Sequence, residues 1–143
     1  MPWHLISNLH HYQVLMRLAD KTCPYRDDGT FDQGDSQDIR LMTLRILTLI
    51  FQADGTGSFI MLEYKDEILA FFKKNLRKAT DFIQKASEIS TKVIDDVVRL
   101  VALLVMIIAD NQDIVSLILQ EKLDKPIVGL YMTLSKRTAK SAN

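Results

Sequence analysis

Cysteine is almost missing: one residue, Cys23, in 143. No disulfide can close within the chain, and a reducing intracellular compartment, cytoplasmic or nuclear, is the expectation. Proline and glycine are scarce, at three and five. Four of the glycines fall between Gly29 and Gly57. Few breakers remain for hairpins, which favours helices. Net charge is absent, since 18 basic and 18 acidic side chains cancel. Whole-chain attraction to nucleic acid or an anionic membrane is thereby excluded, leaving only local patches. Long apolar runs are missing too. The most apolar run, Val97 to Ala109, holds Arg99, and a bilayer span needs ~20 residues. The opening MPWHLISNLHHY lacks the basic and apolar regions of a signal peptide.

What is present is helical periodicity. Leu5, Leu9, Tyr12, Met16 and Ala19 recur at three- and four-residue steps over Trp3 to Asp20, one face of a helix. Asp35 or Ser36 is expected to cap a second helix that ends at ADGTG. SFIMLEY and KDEILAFFKKNLRKA read as a short helix and a longer one, and TDFIQKASEIST as helix or loop. Ser90 or Thr91 caps a long helix to Asp110. DIVSLILQEKL is a short helix, and Asp124 caps the last, with Pro126 in its first turn. Residues 136–143 are a polar tail expected to fray. No alternating strand pattern is present.

Two segments share one grammar. LRILTLIFQADGTGSFIMLEYKDEILAFFKKNL and RLVALLVMIIADNQDIVSLILQEKLDKPIVGLYMTL each run from a long apolar helix through Ala-Asp to a short helix and then an amphipathic one. Asp54 and Asp110 mark the same point, about 56 residues apart, against about 40–47 for common helical repeats. The segment ALLVMIIADNQDIVSLILQEKLDKPIVGLYMTL resembles the armadillo consensus, and the resemblance covers Asp38–Leu134, about two repeats. KLDKP and EYKDE stand where the family usually has a glycine pair. The resemblance implies an all-α, armadillo/HEAT-like right-handed stack of about six or seven helices. An irregular helical bundle is the alternative. One domain, 1–143, is expected. With about two repeats and no polar caps, it would be a piece of a longer solenoid or would self-associate.

Four constellations could carry chemistry. Tyr25–Asp38 packs five aspartates and two glycines into YRDDGTFDQGDSQD. An EF-hand needs glycine at its sixth position and a carboxylate at its twelfth. Counting from Asp28 these are Gln33 and Ile39, and counting from Asp27 the sixth is Asp32. No register fits, and the stretch reads as a solvated connection. His4, His10, His11 and Cys23 do not converge by spacing as zinc ligands or as a Cys–His pair. Lys73, Lys74, Arg77 and Lys78 form a basic helix end, which complements the dipole or makes a phosphate or nucleic-acid patch.

The fourth constellation is the pair of long helices. Ile39, Met42, Ile46, Leu47, Leu49 and Ile50 share one broad face of the earlier helix, opposite Gln37, Leu41, Arg45, Thr48 and Gln52. On the later one Lys92, Asp95, Asp96, Arg99, Leu103, Met106 and Asp110 fall on one side. In armadillo-like proteins such helices line the binding surface. The expectation is a non-catalytic scaffold that binds a peptide or helix through Leu41, Arg45, Thr48, Gln52, Asp95, Arg99, Leu103 and Met106. The alternative is a small regulatory module whose basic patch binds nucleic acid or phosphate. No enzyme, cofactor, metal or membrane span is expected, and nucleic acid is the less favoured partner.

Overall fold

The computed structural model describes the backbone of residues 3–32, 34–52, 56–110, 114–120 and 122–142. Side chains are described from His11 onward within these ranges, except at 56–59, 62, 110 and 138–142. The described residues are all-helical, in six helices with no strand: α1 (Trp3–Lys21), α2 (Asp35–Gln52), α3 (Thr56–Lys85), α4 (Thr91–Asp110), α5 (Ile114–Gln120) and α6 (Asp124–Ala142). No described helix is long and apolar enough to cross a membrane.

Local chemistry sets the boundaries. The Ser90 hydroxyl accepts from the Val93 N–H at 3.4 Å, which makes it the cap of α4. α3 absorbs both helices expected in its span, with a kink at Tyr64 (φ −122°, ψ 21°). It also runs on through TDFIQK to Lys85. The equivalent place in the second half is a full break, where α5 ends and Lys122 turns with φ 58° into α6. Helical backbone continues to Ala142, through most of the tail expected to fray. The order of the two halves, α2–α3 and α4–α5–α6, is the order the internal echo implies. The Ala-Asp mark at Asp54 lies outside the described residues.

Equivalent helices run side by side in the same direction. Gln13 Nε2 donates to Glu67 at 3.4 Å, and Lys74 meets Asp20 at 3.1 Å, each pair 54 residues apart. These contacts align α1 with α3. Gln37 Nε2 donates to the Lys92 carbonyl at 2.8 Å across 55 residues, and Gln52 Nε2 lies 3.7 Å from Met106 Sδ across 54. These align α2 with α4. α6 continues the first row beside α3: a Cβ on Gly129 would sit 3.8 Å from Thr80, and Arg137 donates to the Ala86 carbonyl.

α1 and α2 are antiparallel. Tyr12 meets Phe51 edge to face at 5.0 Å, while Arg40, near the start of α2, reaches the Ala19 carbonyl at the end of α1. The core lies between the row α1–α3–α6 and the pair α2–α4. Leu44, Leu47, Phe51, Phe72, Leu76, Leu100 and Leu103 are fully or almost fully buried there. Burying each such side chain contributes about 1.5–3 kcal/mol.

Candidate interaction surface and the cluster beneath it

The buried face of α2 is not its most apolar one. Gln37, Arg40, Thr43, Leu44, Leu47 and Phe51 point inward. Of the broad apolar face expected from the sequence, only Leu47 is buried and Ile50 half-buried; Ile39, Met42, Ile46 and Leu49 are exposed. The reason is Arg40. Its side chain is 0% exposed and faces Asp96 of α4, also at 0%. Arg40 Nε donates to Asp96 Oδ1 at 2.7 Å and Nη2 donates to Oδ2 at 3.2 Å, a two-pronged fork. Nη1 donates to the Ala19 carbonyl at 3.0 Å and to Asn75 Oδ1 at 2.7 Å.

The ring of partners closes around that pair. The Tyr25 hydroxyl donates to Asp96 Oδ2 at 2.7 Å, and Asn75 Nδ2 donates to the Phe71 carbonyl at 2.8 Å. One cluster thus joins α1, the α1–α2 loop, α2, α3 and α4. Burial works against the Arg40 charge, but the charge and hydrogen bonds of Asp96 more than offset it, so its pKa stands raised. Burial first, and then the Asp96 charge, push the Tyr25 hydroxyl well above its ordinary value. A buried pair of this kind adds little net stability over an apolar replacement, but breaking it strands a charge. It ties α2 to α4 through two hydrogen bonds.

The acidic loop is ordered by this arrangement. Tyr25, Phe31 and Phe82 form a three-ring cluster with centroids 5.6–5.7 Å apart. Tyr25 and Phe31 make an isolated antiparallel bridge. Gly29 turns at φ 86°, where a side chain would be strained. Two of the five carboxylates, Asp28 and Asp32, are occupied within the loop. Asp28 accepts from the Thr30 hydroxyl at 2.6 Å and its N–H at 3.0 Å, and Asp32 accepts from the Gly34 N–H at 3.1 Å and from Arg26 at 2.9 Å. The Thr30 hydroxyl and N–H hold Asp28 below the usual carboxylate range, and the Gly34 N–H and then Arg26 do so for Asp32. The loop is solvated on its acidic side, as expected, but packed on its aromatic side. Cys23 is a free, half-buried thiol. No three His, Cys, Asp or Glu side chains converge among the described residues, and the side chains of His4 and His10 lie outside them.

The expected partner-binding residues divide. Leu103 is 0% exposed and belongs to the core. It sits three residues past Leu100, on the side of α4 turned toward the interior, so it leaves the predicted surface. Leu41, Thr48 and Met106 are half-buried, and the Thr48 hydroxyl is spent on the Leu44 carbonyl at 2.8 Å. Arg45, Gln52, Asp95 and Arg99 are exposed. At ~100° per residue, these four and Met106 line the outer seam where α2 and α4 meet.

Two exposed apolar stripes flank that seam, the first drawn from the broad face read in the sequence and the second not singled out there. One is Ile39, Met42, Ile46 and Leu49 on α2; the other is Ile94, Val98, Val101 and Val105 on α4. Exposure reaches 66% at Met42 and 57% at both Leu49 and Val98. Each residue of one stripe has its counterpart in the other 55 or 56 positions on, the offset that also separates Arg40 from Asp96. That matching offset in the sequence was the signal available.

The basic patch divides as well. Lys73 and Arg77 face a groove toward α6, Lys74 is bridged to Asp20, and Lys78 lines a separate hollow beside Tyr25, Arg26 and Lys85. Comparison of the chain with protein-family models, with curated proteins and with solved structures finds no match.

Proposed function

We propose that the chain is a non-catalytic interaction scaffold of the armadillo/HEAT-like kind. Its outer α2–α4 surface would hold a protein or peptide partner. One observation carries this: eight large apolar side chains stand exposed on two parallel helices, on either side of a seam of Arg45, Gln52, Asp95 and Arg99. Apolar side chains grouped in this way and edged by polar ones mark interaction sites, whereas singly scattered ones do not. Apolar stripes supply contact energy, and opposite charges at the seam set the register of what lies there. The helices are held rigidly by the cluster below, so little freedom is lost on binding. The side-by-side, same-direction packing of helices 54–56 residues apart supports the helical-repeat reading. The lone free thiol suits an intracellular setting.

Photocrosslinking tests the surface. A benzophenone side chain is placed at Gln52 or Arg99, and at Asp66 on α3 as the control position. Protein adducts are expected from the first two sites and not from Asp66. Equal adducts at all three, or none from the seam, would sink the reading. Light scattering of the purified chain distinguishes a foreign partner from a second copy.

A further inference from the structure

A groove of about 370 Å³ lies between α3 and the start of α6, away from the α2–α4 surface. Four cations line it: Lys73 and Arg77 from α3, and Lys122 and Lys125 from the turn into α6 and its first turn. The turn is built. Lys122 adopts φ 58°, uncommon for a residue with a side chain. The Lys122 N–H donates to the Leu119 carbonyl at 3.2 Å and the Leu123 N–H to the Ile118 carbonyl at 2.9 Å.

None of the four cations makes an ion pair with a described residue, whereas adjacent Lys74 is paired with Asp20. Among the described residues Asp81 is the one carboxylate in the lining, which Thr80, Pro126 and Gly129 complete. Asp124 adds a carboxylate in the first turn of α6 but does not line the groove. Four cations around one small space repel one another unless an anion sits between them. The positive end of the α6 dipole adds to that field. Among the described residues the lining contains no aromatic ring on which a base could stack, which disfavours single-stranded nucleic acid.

We propose that this groove binds the diphosphate group of a small anion, either free pyrophosphate or the diphosphate of a nucleotide. Lys122 and Lys125 would grip one phosphoryl group and Lys73 and Arg77 the other, with Arg77 as the side chain able to donate two parallel hydrogen bonds. The site is independent of the partner surface: its residues lie on other elements, and either can fail without the other.

Calorimetric titration of the full chain with inorganic pyrophosphate tests it. One-to-one binding at sub-millimolar concentration is expected, weakened by added sodium chloride. Lys122→Gln with Lys125→Gln lowers affinity about tenfold or more, since charge-assisted hydrogen bonds are the strong ones. Lys74→Gln with Lys78→Gln leaves it within about twofold, and Asp81→Asn tightens it, because these act on the same field from outside and from the rim. Circular dichroism confirms that the exposed-residue variants fold. Equal affinity for ADP and pyrophosphate assigns recognition to the diphosphate alone, and tighter ADP binding assigns it to a nucleotide. No heat at millimolar pyrophosphate, an equal loss in the Lys74/Lys78 control, or displacement of pyrophosphate by a short oligonucleotide at far lower concentration overturns the proposal.

Discussion

The inner and outer faces of the α2–α4 pair carry the opposite of what folding usually puts there. Inside lie Arg40, Asp96 and Gln37; outside stand Ile39, Met42, Leu49, Val98 and Val105. The inner cluster shows that a charge can be core when each of its nitrogens finds an acceptor, and Arg40 spends Nε, Nη1 and Nη2 on four acceptors. The outer stripes show that an apolar row can be surface. The difference teaches that on these helices hydrophobicity alone does not tell inside from outside. The partner of each side chain does.

The largest break in that contrast comes from one substitution made on both faces of α4. Leu103→Asp places a carboxylate at a fully buried position of the apolar core, and unfolding is the expected result. Val105→Asp, two residues on, puts the same carboxylate on the outer flank at 55% exposure. It should change stability by no more than ~0.5 kcal/mol. Urea denaturation of the two variants checks this. Similar losses in both would mean that the outer stripe is core.

Next comes the ion pair. Asp96→Ala leaves Arg40 buried and unpaired and removes the acceptor of the Tyr25 hydroxyl. A loss of about 3–5 kcal/mol is expected in equilibrium denaturation. Replacing the pair together, Arg40→Met with Asp96→Leu, should regain only part of it. Asn75 Oδ1, the Ala19 carbonyl and the Tyr25 hydroxyl would then lack their partners. Full recovery would show that the cluster contributes no more than its volume.

Most of the fold was legible in the sequence, and the layout of the site only partly so. Helix positions followed from periodicity and caps, because those depend on neighbours three and four residues away: α1 spans its predicted range to within a residue, and α2, α4 and α6 begin within a residue of their predicted caps. The facing of α2 did not follow. Its apolar count is highest on the side of Met42 and Leu49, and what turns that side outward is Asp96, 56 residues beyond Arg40. Opposite charges one repeat apart in two apolar helices were the readable clue. Arg45, Gln52, Asp95 and Arg99 emerged on the surface, the usual place for charged and polar side chains, while Leu103 needed its packing partners to be placed. The division of Lys73, Lys74, Arg77 and Lys78 among three surroundings depends on α1, the acidic loop and α6, which no local pattern brings together.

The finest contrast is between two buried tyrosines. The Tyr25 hydroxyl has Asp96 at 2.7 Å, while the Tyr12 hydroxyl is buried with no hydrogen-bond partner among the described residues. Tyr25→Phe removes a bond to a charged acceptor and should cost about 1.5–3 kcal/mol. Tyr12→Phe keeps the edge-to-face contact with Phe51 and removes an unpaired polar atom, so stability should rise by about 1 kcal/mol. Burial raises both hydroxyls well above their ordinary value, and at Tyr25 the Asp96 charge raises it further. The folded state therefore keeps these protons at a pH where the unfolded chain has released them. Their share of stability is complete below about pH 10 and is lost as pH rises from there through the folded values. Tyr12→Phe takes one of these groups away, so its stability should fall less steeply than that of the parent chain above about pH 10. Urea midpoints on either side of that pH read the slope. A parallel decline in the variant and the parent would mean that Tyr12 reaches water in the folded state.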